Sequence, residues 1–234
     1  MVFILLIVIA FAAFGISQWA AGRYMTMMGK GTRATAPTAH TGGEIAMLFL
    51  NTECVNDVQI VEHGGVVTDY FDAKRRRLFL RPEIARGTHL TAWATALHEA
   101  GHALHANDDG SGSSEFFHRR TCIAFCRYAP MLAVFVVGGL LIAGRLPSRM
   151  AVFALAGVLG ALVAWNLGTV SVEFAANRRV RAFLERHLEK HPQALDRLKE
   201  LLFCMAIREV GDVLRSPRYF FLSALPGAGK SRPA

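Results

Sequence analysis

Apolar positions follow two different patterns along this chain. Three runs are apolar on every side: residues 2–21, 129–144 and 150–170 contain no charged residue. A helix needs about 20 such residues to cross a bilayer. The pattern therefore predicts about three transmembrane helices, the second only just long enough. The first basic residues, Arg23, Lys30 and Arg33, follow the first run instead of preceding it. That order argues against a cleaved signal peptide. It predicts an anchor spanning residues 1–21, with its N-terminus outside and the next segment in the cytoplasm. Arg145-Leu-Pro-Ser-Arg149 links the other two runs into a hairpin over 129–170, which returns the chain to its starting side. Arg178, Arg179 and Arg181 just beyond it agree with that side being the cytoplasm.

The remaining segments carry shorter periodicities. Thr41-Gly-Gly-Glu44 has the spacing of a capping box and opens a short amphipathic helix to about Thr52. Val58–Glu62, Val66–Phe71 and Arg77–Arg81 read as strands, with turns at Gly64-Gly65 and Asp72-Ala-Lys74. Pro82 ends the last strand, and a helix over Thr91–His105 follows Gly87. Asn107–Ser114 is a polar turn. From Ser171 to about Arg215 the period is helical, broken at His191-Pro192, with Leu195, Leu198, Leu201, Leu202, Met205 and Val210 on one face. Arg208, Glu209 and Asp212 make that stretch a poor span. The chain thus divides into the anchor, a cytoplasmic domain over 22–128, the hairpin, a helical part over 171–224 and a disordered tail over 225–234. The fold class is a mainly α membrane protein with a small cytoplasmic α+β domain.

Composition supports this division. The chain is 53% hydrophobic with mean hydropathy +0.31, high for a domain without membrane segments. Its net charge of +8 is spread evenly, 12 basic residues in 22–128 and 12 in 171–234, among many acids. No basic and aromatic pattern of a nucleic-acid module appears, so nucleic acid is excluded as a partner. Cys54, Cys122, Cys126 and Cys204 form no C-x-x-C pair and read as free thiols, although Cys122 and Cys126 share a helical face.

The candidate chemistry lies in the helix over Thr91–His105. His98-Glu99-Ala-Gly-His102 is an H-E-x-x-H motif. On a helix its two imidazoles project from one face and can hold one zinc ion, and Glu99 lies beside the catalytic water. Chance gives roughly 0.02 such motifs in a chain of this composition, which favours a selected site. A catalytic zinc usually takes three protein ligands. Three groups compete for the third place: Asp108, at a spacing that normally requires a glycine where this chain has His105; His105 itself; and Glu173, just beyond the third apolar run. Asn177 stands one helical turn after Glu173 and suits a hydrogen-bond partner for a ligand.

These stretches resemble the bacterial neutral zinc metallopeptidase family, the YugP-like membrane zinc peptidases. The resemblance rests on Thr41-Gly-Gly-Glu-Ile-Ala46, Val67-Thr-Asp69 with Phe71-Asp72, Ala94–His105, and Val172-Glu-Phe174 with Ala176 and Arg178. More distantly the chain is similar to the membrane heat-shock and prenyl-protein endoproteases. The resemblance implies one Zn2+ on His98, His102 and Glu173, with Glu99 as the catalytic carboxylate. It also implies a metalloendopeptidase of the bacterial inner membrane that cleaves protein or peptide substrates, membrane proteins among them, at the cytoplasmic surface. A zinc-binding scaffold without turnover is the rival reading. Ala175 replaces a residue that is usually polar or acidic, and Asn177 replaces Asp or Ser. His118, Tyr128 and Arg178 are candidates to stabilise an oxyanion.

Overall fold

The computed structural model describes residues 2–64, 69–108 and 132–223, and those residues are mainly helical with one small sheet. In chain order they form α1 (Val2–Thr32), α2 (Gly42–Thr52), β1 (Gln59–Glu62), β2 (Tyr70–Asp72), β3 (Arg77–Leu80), α3 (Pro82–Ala85) and α4 (Leu90–Asp108). These are followed by α5 (residues 132–142), α6 (Ser148–His187) and α7 (Pro192–Ser223).

Local chemistry accounts for several of these boundaries. Thr41 accepts a hydrogen bond from the Glu44 amide, and the Glu44 carboxylate accepts one from the Thr41 amide, closing the capping box that starts α2. These bonds hold the Glu44 carboxyl below its ordinary range. Between β2 and β3, the Asp72 carboxylate accepts from the amides of Lys74 and Arg75, and Arg76 takes the left-handed backbone at φ 51°. His191 and Pro192 separate α6 from α7 as the periodicity predicts, because proline is suited to a first helical turn.

The sheet order is β1-β3-β2, with β3 parallel to β1 and antiparallel to β2. Leu78 and Leu80 of the central strand are fully buried, and Tyr70 stacks on Phe79 at 5.0 Å.

One structural unit takes in Ala20–Phe117 and Val170–Arg208, and α4 runs through its core. Every residue of α4 from Leu90 to Leu104 is buried. A helix enclosed this way has no solvent for its polar groups, so each needs a partner. The Thr91 hydroxyl donates to the Met28 carbonyl at 2.9 Å, and the Trp93 indole donates to the His40 carbonyl at 2.8 Å. Phe49 of α2 meets Phe183 of α6 edge to face at 5.2 Å, both fully buried. The other unit holds Met1–Trp19, His118–Thr169 and Glu209–Ala234, and Ile16, Leu132, Phe135 and Ile142 in it are exposed.

Among the described residues no helix is long and apolar enough to cross a membrane, which overturns the expectation of about three transmembrane helices. The first and third runs are parts of longer helices. α1 continues into Arg23 and Lys30, and α6 continues into Glu173 and a basic segment. A count of apolar residues does not reveal where a helix continues. The expected strand at Val66–Phe71 is shorter, Tyr70–Asp72, and residues 65–68 lie outside the described set. Residues 109–114 of the polar turn, Cys122, Cys126 and the tail also lie outside it.

Two outcomes follow. Phe49→Ala removes a fully buried ring and is expected to cost about 3–5 kcal/mol, read as a lower urea midpoint at unchanged slope. His89, just before α4, accepts the Ala92 amide on Nδ1 at 3.1 Å, and burial lowers its pKa below 6.5. The unfolded chain then binds more protons than the folded one, so stability falls as pH drops below about 6.5. His89→Asn keeps an acceptor and is expected to flatten that slope in denaturation series between pH 5 and 8.

Candidate metal centre

Helix geometry brings His98 and His102 together, because residues four apart on α4 share a face. Their rings lie 5.0 Å apart at 79° and are almost fully buried. The third element is α6, which crosses α4 in close contact. The contact requires Gly101: a Cβ there would stand 2.6 Å from the Ala176 carbonyl oxygen and 3.2 Å from Val180 Cγ2. With no side chain between the backbones, α6 delivers Glu173 and Asn177 to the histidine face of α4.

The Glu173 carboxylate oxygen lies 3.4 Å from His98 Nε2 and 3.4 Å from His102 Nε2. One ligand atom from each of the three residues falls within a 4.8 Å group, and all three residues are buried.

Asn177 fixes the state of His98. Its Nδ2 donates to the Leu202 carbonyl of α7 at 3.0 Å, and a carbonyl can only accept. Asn177 Oδ1 is therefore the atom 2.9 Å from His98 Nδ1, and that nitrogen must carry the proton. In neutral His98 this leaves Nε2 as a lone pair facing Glu173. Two acceptor atoms facing each other in a dry site call for a cation between or beside them. Ligand atoms about 2.0–2.1 Å from a tetrahedral zinc ion stand about 3.4 Å apart, the separation seen on both sides of Glu173. Two imidazoles and one carboxylate are also zinc's usual donors. The residues fit one zinc ion.

Glu99 is 8% exposed and lies on the same turn as His98, outside the converging ligand set. Arg178 is exposed beside Asn177. α4 extends to Asp108, but the side chains of His105 and Asp108 lie outside the described set, as do His118 and Tyr128.

Several supports were not legible as site residues. Leu202 acts through its backbone carbonyl, and Phe174 packs edge to face on Phe203 at 6.0 Å beside Glu173. Arg76 binds Asp57 through two nitrogens at 2.7 and 2.8 Å, lies over Phe71, and reaches the Ala103 carbonyl next to His102 at 3.4 Å. Buried Asp69 binds the amide and guanidinium of Arg81 at 2.7 and 3.0 Å. The Asp69 contact had a signal in the Val67-Thr-Asp69 stretch, whereas the backbone contacts had none.

Residues 3–217 match the family described as "Putative neutral zinc metallopeptidase". The "Putative membrane protease YugP" of Bacillus subtilis (strain 168) is 28% identical over 182 residues, 77% of each chain. No solved structure matches. The chain belongs to this zinc metallopeptidase family.

Asn177→Leu leaves the His98 Nδ1 proton without its acceptor and is expected to weaken zinc binding about 10- to 100-fold in chelator competition. Gly101→Ala is expected to weaken it further by pushing α6 off α4, while Gly139→Ala, with open space around it, is expected to leave affinity unchanged.

Proposed function

We propose, from its family and the three convergent ligands, that this chain is a zinc-dependent metalloendopeptidase cleaving protein substrates. The observation that carries the reading is the buried His98, His102 and Glu173 group with Glu99 on the same helical turn. Zinc held by the three would polarise the scissile carbonyl and lower the pKa of the attacking water toward about 7. Glu99 takes the proton of that water and passes it to the leaving amine, acting as general base and then general acid. Asn177 keeps His98 in the tautomer that leaves Nε2 available, so ligand geometry does not depend on a mobile proton. Burial of the site keeps bulk water from competing with the positioned one.

The sheet supplies a place for the substrate backbone. β2 and β1 are its outer strands, and an extended peptide can add to such an edge by main-chain hydrogen bonds. β2 packs on α4, so the edge beside it suits a peptide led to the histidines. The relative's description as a membrane protease, and the exposed apolar side chains around Leu132–Ile142, support work at a membrane surface.

Casein hydrolysis and metal content test the reading together. Glu99→Gln is expected to lose about 10²–10⁴-fold in turnover while retaining one zinc per chain. His98→Ala and Glu173→Ala are expected to lose the zinc. Equal hydrolysis by wild type and Glu99→Gln would defeat the peptidase mechanism. A zinc-loaded wild type without turnover on any peptide would leave the scaffold reading.

A further inference from the structure

Away from the metal centre, the C-terminal turn of α1, the start of α4 and the start of α7 enclose two adjoining cavities. The larger, about 540 Å³, is lined by Lys30, Arg33 and Arg197 over a floor that includes Met27, Leu90 and Leu201. The smaller, about 390 Å³, shares Ala34, Leu90 and Arg197 and adds Lys190 and His191. Together they make one groove with an apolar floor and a cationic rim.

The charge of this groove is unbalanced. Among the described residues Glu200 is its only acidic lining residue, and it is engaged by Arg23 at 2.7 Å. Lys30, Arg33, Lys190 and Arg197 have no ion-pair partner among the described residues. Other cations of these helices have acidic partners: Arg179 and Arg186 share Glu53, and Lys199 holds Glu185 at 2.6 Å. Glu189 and Asp196 are exposed next to Lys190 and Arg197 in sequence, yet neither lines the cavities. Four like charges around one concavity repel each other and concentrate an anion there. Two guanidiniums suit the oxygens of a tetrahedral oxyanion, which they can bind in pairs. The apolar floor would accept the carbon portion of a phosphate ester.

We propose that this groove is a binding site for a phosphate group, free or on the headgroup of an anionic lipid. It is separated from His98 by about 12 Å of α4 and stands independently of the peptidase reading. The floor and the paired cavities leave room for a glycerophosphate as well as for inorganic phosphate.

Calorimetric titration of the full chain tests this with two probes: inorganic phosphate at fixed ionic strength, and phosphatidylglycerol in neutral detergent micelles with phosphatidylcholine as control. Wild type is expected to bind at least one probe, and Arg33→Gln/Arg197→Gln, on exposed positions, to bind it at least tenfold more weakly. Circular dichroism of the double variant provides the fold control. If that variant is unfolded, the single Lys30→Gln, expected to weaken binding severalfold, replaces it. Binding of both probes assigns any phosphate, and binding of phosphatidylglycerol alone assigns the lipid headgroup. The proposal is overturned if neither probe binds, if the folded variants bind like wild type, or if phosphatidylcholine matches phosphatidylglycerol. A glutamate-rich decapeptide that binds more tightly than either probe would also overturn it, making the groove a peptide site.

Discussion

The whole centre depends on how closely two helix backbones can approach. α4 carries two ligands and α6 the third, and Glu173 lies 71 positions after His102 in the chain. Only an absent side chain at Gly101 lets the Ala176 carbonyl lie where a Cβ would otherwise intrude. One methyl group at that crossing would move Glu173 and Asn177 together, because they lie one turn apart on the same rigid helix. Gly101 inside the H-E-x-x-H motif is therefore structural, while His98 and His102 supply the metal-binding atoms of α4.

The rest of this unit serves to hold α4 still. α2 packs along it, started at a fixed residue by its capping box, and the Trp93 indole and Thr91 hydroxyl tie its first turns to preceding segments. Arg76, in a left-handed turn, links the sheet to the Ala103 carbonyl. Such ties come from every side of a buried helix, so α4 has little freedom to rotate away from α6. Ligands fixed before the metal arrives bind it with less ordering cost.

Much of this was legible in the sequence, because the determinants are local. The capping box, the Asp72 turn, the break at His191-Pro192 and the two-histidine face each follow from residues within one or two turns of one another. Glu173 needed more, since no local rule selects one glutamate from several: its place after the third apolar run made it one of three candidates, and the resemblance singled it out. The apolar runs misled for a related reason. Their composition describes a bilayer-length segment, but the helices run on past the runs into charged residues, and helix length is set by distant contacts. Backbone groups such as the Leu202 carbonyl leave no trace in residue identity.

That carbonyl has a consequence for heredity. Asn177 is oriented by an atom that every amino acid possesses, so exchanging Leu202 for another residue preserves the acceptor. The contribution of α7 to the histidine tautomer therefore does not depend on the identity of that side chain, which its burial in the core constrains instead. What it does not tolerate is a change of register. A single residue inserted within α7 ahead of Leu202 would turn the part of the helix after it by about 100° and replace one carbonyl with another pointing elsewhere. The register of α7 therefore decides which carbonyl Asn177 meets, while the core decides which side chain Leu202 carries.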